Sequence, residues 1–193
     1  MKVSGARDTG TSVLASLTLA APQAAVELPD VRALYLSSAD AIRTSLRRLT
    51  GEGPHLDDLL QDVFLIALKS EARLLSASSP RAWLYGIATK VAANHRRRRW
   101  VRDWLGLEKA DPVEARLSPL RALEQRDSER LVATALRELS GKKREVFVLF
   151  ELEGLSGAEL AEALDVPVAT VWTRLFHARK EFAAVVARLE GAP

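Results

Sequence analysis

The chain has 193 residues, of which 48% are hydrophobic, and it carries a formal net charge of +3. This hydrophobic content is sufficient for packed cores and excludes a wholly disordered protein. The absence of cysteine excludes disulfides, thiolate zinc sites and cysteine nucleophiles, and is compatible with a reducing compartment. No apolar run reaches the ~20 residues of a membrane span. We therefore expect a cytoplasmic protein with one or two small domains and no membrane partner.

Charge is distributed unevenly along the chain. Residues 81–102 contain seven Lys and Arg residues and no acidic residue, whereas residues 49–68 contain four acidic residues and no Lys or Arg. The basic segment suits a polyanion such as nucleic acid, and the acidic segment suits a different kind of partner. A solvated tail, an import signal and a membrane-surface helix are the other interpretations of the four arginines at 96–99.

The first hundred residues divide into two patterns. Residues 1–27 are rich in Ala, Ser and Thr without sustained periodicity, which predicts a disordered tail, and polar residues dilute their weak similarity to a signal peptide. Residues 28–100 have apolar residues at helical spacing, which predicts three helices. The third begins near Pro80, because proline is tolerated in a first turn and Ser79 is a good N-cap. The apolar positions of the three helices are Leu34, Ile42, Leu46 and Leu49; then Leu59, Leu60, Val63, Phe64, Ala67 and Leu68; then Trp83, Leu84, Ile87, Ala88 and Val91.

Residues 101–127 are predicted to be a linker. The apolar periodicity fails there, and Pro112 and Pro119 interrupt regular structure. Charges of both signs are scattered along the segment. A flexible tether without any specific role is one interpretation of this composition.

Residues 128–190 return to helical spacing and contain a predicted helix-turn-helix. Ser156 and Glu159 have the spacing of a capping box, and Asp165–Pro167 forms a short turn before a second helix near Val168. The second helix would place four apolar residues inward and its polar residues outward. The inward set is Val171, Leu175, Ala178 and Phe182, and the outward set is Thr170, Thr173, Arg174, His177 and Lys180. A plain helical hairpin with a solvated basic face is the alternative.

No segment has convincing strand alternation. The predicted fold class is therefore all-α, with two small helical domains joined by a flexible linker and a helix-turn-helix in the C-terminal domain.

Three motifs in order carry a resemblance to a known family. They are DLLQDVF at 58–64, WLYGIA at 83–88 followed by the basic cluster at 96–99, and the long pattern from Leu136 to Arg179 that includes the helix-turn-helix. The chain resembles bacterial RNA polymerase sigma factors of the extracytoplasmic-function (ECF) group, over roughly residues 28–189. The resemblance implies a promoter-specificity subunit without catalytic activity, cofactor or metal.

The resemblance also implies partners and sites. The N-terminal domain would bind the β′ clamp helices of RNA polymerase core and the −10 promoter element, and the C-terminal domain would bind the β flap and the −35 element. An anti-sigma factor is a further expected partner. The residues that match the family pattern for polymerase binding are Asp58, Gln61, Asp62 and Leu65. Those for −10 DNA and melting are Leu74, Ser76, Lys90, Asn94, Arg96, Arg97, Arg98 and Arg99. Those for −35 DNA are Thr170, Trp172, Thr173, Arg174, His177 and Lys180.

Several alternatives stay open at this level. A stand-alone helix-turn-helix regulator would bind duplex DNA alone, but no dimerisation helix is evident. An enzyme is disfavoured, because the three histidines are scattered and lack metal spacing. Trp100 and Trp104 could stack on bases or anchor the linker, and Trp172 could contact thymine methyls or pack. Lys90 replaces an amide frequent in the family, so the promoter sequence is not predictable.

Overall fold

The computed structural model describes residues 30–106 and 123–191, and the predicted tail at 1–27 lies outside them. Within these two ranges all regular structure is helical, which confirms the predicted all-α class. The helices in chain order are α1 (Val31–Thr50), α2 (His55–Lys69), α3 (Glu71–Leu74), α4 (Pro80–Trp104), α5 (Leu123–Glu138), α6 (Gly141–Phe147), α7 (Gly157–Leu164) and α8 (Val168–Glu190). A π-helical turn, Val148–Leu152, directly follows α6.

Helices α1, α2 and α4 form an N-terminal bundle around the apolar positions that the sequence predicts. Ile42, Leu46, Val63 and Leu84 are almost fully buried, and each such side chain stabilises the fold by about 2 kcal/mol. The predicted cap of α4 is also present, because the Ser79 side chain accepts a hydrogen bond from the backbone N–H two residues after Pro80. Helix α4 continues to Trp104, past residue 100 where the sequence predicts the linker to begin.

Helices α5 to α8 form a C-terminal bundle whose core contains Leu136, Leu149, Leu160 and Leu175. The helix-turn-helix is confirmed as α7 and α8. Asp165 ends α7 in the left-handed region, with φ of 53°, and its N–H donates back to the last carbonyls of the helix. This conformation turns the chain sharply enough for α8 to start at Val168.

The buried guanidinium of Arg144 joins the two bundles. One terminal nitrogen donates to the carbonyls of Arg137 and Leu139, at 2.7 and 3.1 Å, and the other donates to the Leu49 carbonyl of α1 at 3.0 Å. Burial, together with the neighbouring charge of Arg96, lowers the pKa of Arg144 to about 10. The partial negative charge at the C-terminal end of α1 favours a cation at this position.

The bundles also pack directly through α4 and α7. Gly86 of α4 faces the backbone of Ala163, and a Cβ atom at Gly86 would lie 2.6 Å from the Ala163 carbonyl oxygen. The sequence predicts two domains connected by a linker, and this close docking is an addition to that prediction. The contact joins residues far apart in the chain, so helical periodicity cannot reveal it.

We predict that Gly86→Ala separates the bundles. The substitution removes a glycine from a helix interior, which favours α4 itself by about 1 kcal/mol, but its methyl group collides with backbone that cannot rotate away. Because the chain has no cysteine, spin labels can be attached to Ala72→Cys and Ala158→Cys, two exposed positions on α3 and α7. The inter-label distance should lengthen while far-ultraviolet circular dichroism stays unchanged. An unaltered distance would contradict the close packing.

We further predict a pH-dependent contribution from the capping box of α7. Hydrogen bonds from the Ser156 backbone N–H and hydroxyl, at 2.9 and 2.8 Å, lower the pKa of Glu159. A depressed folded-state pKa stabilises the fold above the unfolded value of about 4.3, and this stability is lost as the pH falls through the folded value.

Glu159→Gln, which removes the negative charge near the N-terminus of α7, should therefore reduce the free energy of unfolding by about 0.3–1 kcal/mol near pH 7. Urea unfolding of the variant and the parent chain measures the difference, which should shrink when both are compared near pH 3.5. An equal difference at both pH values would show that the charge of Glu159 has no part in capping.

Candidate nucleic-acid and polymerase interface

Helix α2 presents an acidic face with an apolar residue at its C-terminal end. Leu59, Val63 and Phe64 pack inward, while the polymerase-binding candidates all lie on the outer surface. Leu65 is 52% exposed. The four candidates are Asp58, Gln61, Asp62 and Leu65. We call these four residues the acidic face.

Two further apolar side chains of α2 lie at the surface. Ile66 and Leu68 are both exposed, although the sequence pattern includes Leu68 among the apolar positions of this helix. The helix has apolar residues on more than one side, so periodicity alone does not reveal which side meets the other helices. Together with Leu65 they extend the apolar surface at the C-terminal half of α2.

The C-terminal half of α4 carries the exposed cations. Arg97, Arg98 and Arg99 are exposed, and a terminal nitrogen of Arg97 donates to the Asn94 side-chain oxygen at 3.1 Å. We call Arg97 to Arg99 the arginine cluster. The imidazoles of His55 and His95 stack beside it with ring centroids 4.3 Å apart, and burial together with the charge of Arg99 lowers the pKa of His55. The positive potential of the cluster therefore extends onto the adjoining surface.

Arg96 differs from the rest of the basic run. It is half-buried, pairs with Glu145 of α6 at 2.5 Å, and donates to the Leu49 carbonyl at 3.2 Å. The sequence places this residue among those that hold DNA. In the described arrangement it joins the two bundles instead, because α4 rotates Arg96 towards the C-terminal bundle while its neighbours point outward.

A cleft of about 610 Å³ lies between α4, the α3–α4 connection and α7. Its wall on the N-terminal bundle includes the −10 candidates Ser76, Lys90 and Asn94. Arg73, which is not among those candidates, also lines this wall. Trp83, assigned to the core, is half-buried and forms part of this wall as well. Residues of α7 form the opposite wall: Glu162, Ala163 and Asp165.

Leu74 does not share this surface. It is only 1% exposed and lies in the hydrophobic core at the end of α3. The family resemblance, in contrast, assigns Leu74 to the residues that bind −10 DNA. The correction follows from the short helix α3, which turns Leu74 inward and leaves the next residue, Leu75, exposed.

The side chain of Glu153, only 7% exposed, is held entirely by the N-terminal bundle. One carboxylate oxygen accepts hydrogen bonds from Ser45 at 2.5 Å and Arg48 at 2.7 Å, and the other accepts one from the Tyr85 hydroxyl at 2.7 Å. Burial, and then the bond to Glu153, raises the pKa of Tyr85 to about 12. Arg81 donates to the Glu153 backbone carbonyl. We call this set of contacts the Glu153 junction.

The connection before α4 is also bound to the C-terminal bundle. The Ser78 hydroxyl donates to the carboxylate of Glu162 on α7. Helix α7 therefore forms one wall of the cleft and also holds the loop that borders it.

Helix α8 buries Val171, Leu175 and Ala178, as its spacing predicts, and Phe182 stacks on Phe147 at 4.5 Å. The −35 candidates on its other side differ in exposure. Thr170 and Arg174 are half-buried, and the exposed candidates are Trp172, Thr173, His177 and Lys180.

Trp172 belongs partly to the packing of the C-terminal bundle. Its ring contacts Phe150 edge-on at 5.5 Å and lies over Gly157, where a Cβ atom would meet the indole at 2.5 Å. Phe176, one turn along α8, is also exposed and was not selected from the sequence. Its spacing from Trp172 is the signal that could have identified it.

Metal-binding clusters and membrane-spanning helices are both absent from the described residues. No group of three or more His, Asp or Glu side chains in residues 30–106 and 123–191 is placed to hold a metal ion. Within the same ranges, no helix combines the length and apolar character needed to cross a membrane.

Comparisons with known proteins match both bundles. Residues 34–102 match the family model for sigma-70 region 2, and residues 129–182 match that for sigma-70, region 4. The ECF RNA polymerase sigma factor SigL of Mycobacterium tuberculosis is 30% identical over 158 residues, which are 80% of this chain and 88% of SigL. The ferric citrate uptake sigma factor FecI of Escherichia coli is 31% identical over 139 residues, which are 72% of this chain and 80% of FecI.

Two solved structures have a similar fold. The sigma factor RpoE in complex with the anti-sigma factor NepR from Bartonella quintana has a TM-score of 0.61 at 23% identity, over 81% of this chain and 96% of RpoE. CnrH in complex with the cytosolic domain of CnrY has a TM-score of 0.55 at 25% identity, over 82% of this chain and 88% of CnrH. These matches favour a sigma factor over a stand-alone helix-turn-helix regulator. With both conserved regions and close ECF relatives matched, the chain belongs to the sigma-70 family, as an RNA polymerase sigma factor of the extracytoplasmic-function group.

Proposed function

We propose that this sigma factor binds RNA polymerase core through the acidic face of α2 and holds opened −10 promoter DNA with the cleft and the arginine cluster of α4. The observation that carries the proposal is that two surfaces of opposite charge lie on separate helices of one small bundle. A single rigid unit thereby connects a protein partner to a polyanion. The proposed domains are residues 28–100 and 128–190, joined by residues 101–127.

The acidic face suits the β′ clamp helices. Asp58 and Asp62 would steer the encounter with a basic coiled coil and fix its register, while Leu65 would supply buried apolar area. The exposure of Ile66 and Leu68 supports a larger apolar contact than the sequence pattern indicates. Asp57 is also exposed on α2 and pairs with Arg43 of α1 at 2.9 Å.

The cleft suits an unpaired base, and the arginine cluster suits the phosphates next to it. Lys90 and Asn94 line the cleft, and both offer hydrogen-bond donors to the edge of a base. Extrusion of a base costs a few kcal/mol, so a preformed pocket reduces the barrier to melting. Arg96 would join this surface only after its pair with Glu145 is broken.

The outer side of α8 suits the −35 element in the major groove. Arg174 and Lys180 would contact phosphates or guanine edges, with Thr170, Trp172, Thr173 and His177 along the same groove. Trp172 would contribute its exposed edge, since the remainder of its ring packs on the bundle. The same domain would bind the β flap of the polymerase.

The packing of the N-terminal bundle against the C-terminal bundle in this structure would be a closed state of the protein. Helix α7 forms one wall of the cleft, and the Glu153 junction and the Arg96–Glu145 pair hold the bundles together. Lys90 and Asn94 are exposed in this arrangement, and separation of the bundles would widen the cleft around them. An anti-sigma partner that contacts both bundles would hold this state, and the two similar structures are themselves complexes of a sigma factor or CnrH with another protein.

We place the protein in the cytoplasm, where RNA polymerase acts.

Transcription in vitro tests the proposal. The purified chain is mixed with polymerase core and a pool of genomic fragments from its source bacterium, and the 5′ ends of the transcripts are sequenced. The proposal expects a set of defined start sites that core alone does not produce. Starts identical to those of core alone would contradict it, as would DNA binding that needs no core.

We predict that Asp62→Lys weakens binding to core by about tenfold or more, because it places a cation opposite a basic coiled coil. Affinity is measured by titration of fluorescent chain with core. Glu190→Lys is the matched control, since it makes the same charge change at the end of α8, where a cation is favourable. Equal affinities of Asp62→Lys and the parent chain would contradict the docking surface.

We also predict that the double substitution Arg97→Glu and Arg98→Glu leaves core binding intact but prevents promoter opening. Because two phosphate contacts are removed, the plot of log affinity for promoter DNA against log salt concentration should become less steep by about 1.5 units. Permanganate reactivity of unpaired thymines reports opening. The control pair Arg32→Glu and Arg137→Glu has the same change of charge at two exposed positions outside the cluster. Parent-level thymine reactivity in the cluster variant would contradict the assignment.

A further inference from the structure

The last turns of α4 carry two tryptophans that the packing of the bundles does not use. Trp100 is 67% exposed and Trp104 is 75% exposed, and the last fully buried residue of the helix is Ala92. Val101 and Leu105 beside them are exposed as well. The sequence left open whether these tryptophans stack on bases or anchor the linker. Because they are so exposed, the two tryptophans do not anchor the linker against residues 30–106 or 123–191.

The tryptophans continue the surface of the proposed DNA cleft. Positions 90, 94, 97, 100 and 104 follow helical spacing of four or three residues, so they share one side of α4. Lys90 and Asn94 line the cleft at one end of this row, and Trp104 ends it, with Trp100 one turn before. At 1.5 Å per residue the row from Lys90 to Trp104 is about 21 Å long. That length accommodates several unpaired nucleotides.

We propose that Trp100 and Trp104 form a stacking platform for unpaired bases of the promoter strand that leaves the cleft. This proposal rests on the proposed function, because it assumes that the cleft receives melted DNA. Single-stranded DNA is bound by cations that follow the backbone and by aromatic rings on which successive bases stack. The row supplies both groups: Arg97 lies between the cleft and the tryptophans, and the indoles lie beyond it.

Charge favours nucleic acid over a protein as the occupant. Asp103 is the one acidic residue of α4, against seven Lys and Arg residues, and the exposed Arg97 and Arg98 lie within one turn of Trp100. An apolar helix face that docks on a protein would bring these cations into the rim of the interface, where each must find an acidic partner. A DNA strand supplies a phosphate at every nucleotide, and its bases cover the indole faces.

The experiment uses substitutions that separate stacking from apolar burial. In one variant Trp100 and Trp104 are both changed to Tyr, which keeps an aromatic ring, and in the other both are changed to Leu, which keeps apolar area without a ring. Each is assembled with polymerase core. Affinity is measured for a fluorescent forked DNA with an unpaired −10 strand and no −35 element, and for the fully paired duplex of the same sequence.

The expected result is a loss of affinity for the fork of roughly tenfold per tryptophan in the Leu variant, with a much smaller loss in the Tyr variant. Affinity for the duplex should change little in either. Phe176→Leu is the matched control, because it removes an equally exposed ring from α8, which this probe does not engage.

Three results would overturn the proposal: parent-level fork binding by the Leu variant, equal losses for fork and duplex, or loss of core binding in place of DNA binding. Failure of the parent chain to assemble with core would instead overturn the proposed function. In that case fork binding by the free chain, in parent and Leu variant, still decides whether the tryptophans contact single-stranded DNA.

Discussion

The buried carboxylate of Glu153 constrains how the two bundles can be arranged. A charge that is removed from water must be paired and hydrogen-bonded, and the side-chain partners of this one, Ser45, Arg48 and Tyr85, all belong to the N-terminal bundle. Separation of the bundles therefore requires that Glu153 and Arg48 be rehydrated together. The same movement would release Arg96 from Glu145 and widen the cleft. One set of polar contacts thus connects the closed arrangement to access for DNA.

Helix α4 connects all of these features. Its first half is buried in the N-terminal bundle, Gly86 meets α7, and its second half carries the arginine cluster and the two exposed tryptophans. A 25-residue helix positions these groups rigidly relative to one another. Movement of α7 can therefore widen the cleft without any change in the row of residues that lies along α4.

Much of the fold was predictable from sequence, because helix formation and capping depend on residues close together in the chain. The apolar spacing of α1, the N-cap at Ser79 and the capping box at Ser156 all rest on local interactions. Leu74 and Arg96 were assigned to DNA because they lie in segments that match the family pattern. Their positions depend on the orientation of α3 and on Glu145, which is distant in sequence, and no local pattern contains that information.

The central claim is that neighbouring helices of one bundle meet different partners during initiation. Photo-crosslinking tests it most directly, since the cysteine-free chain accepts a single benzophenone probe at Leu65→Cys on α2 or at Arg98→Cys on α4. In a complex of chain, core and promoter, the account predicts that the α2 probe crosslinks to the β′ subunit and the α4 probe to DNA. Crosslinks from both positions to the same partner, or to the opposite partners, would contradict it.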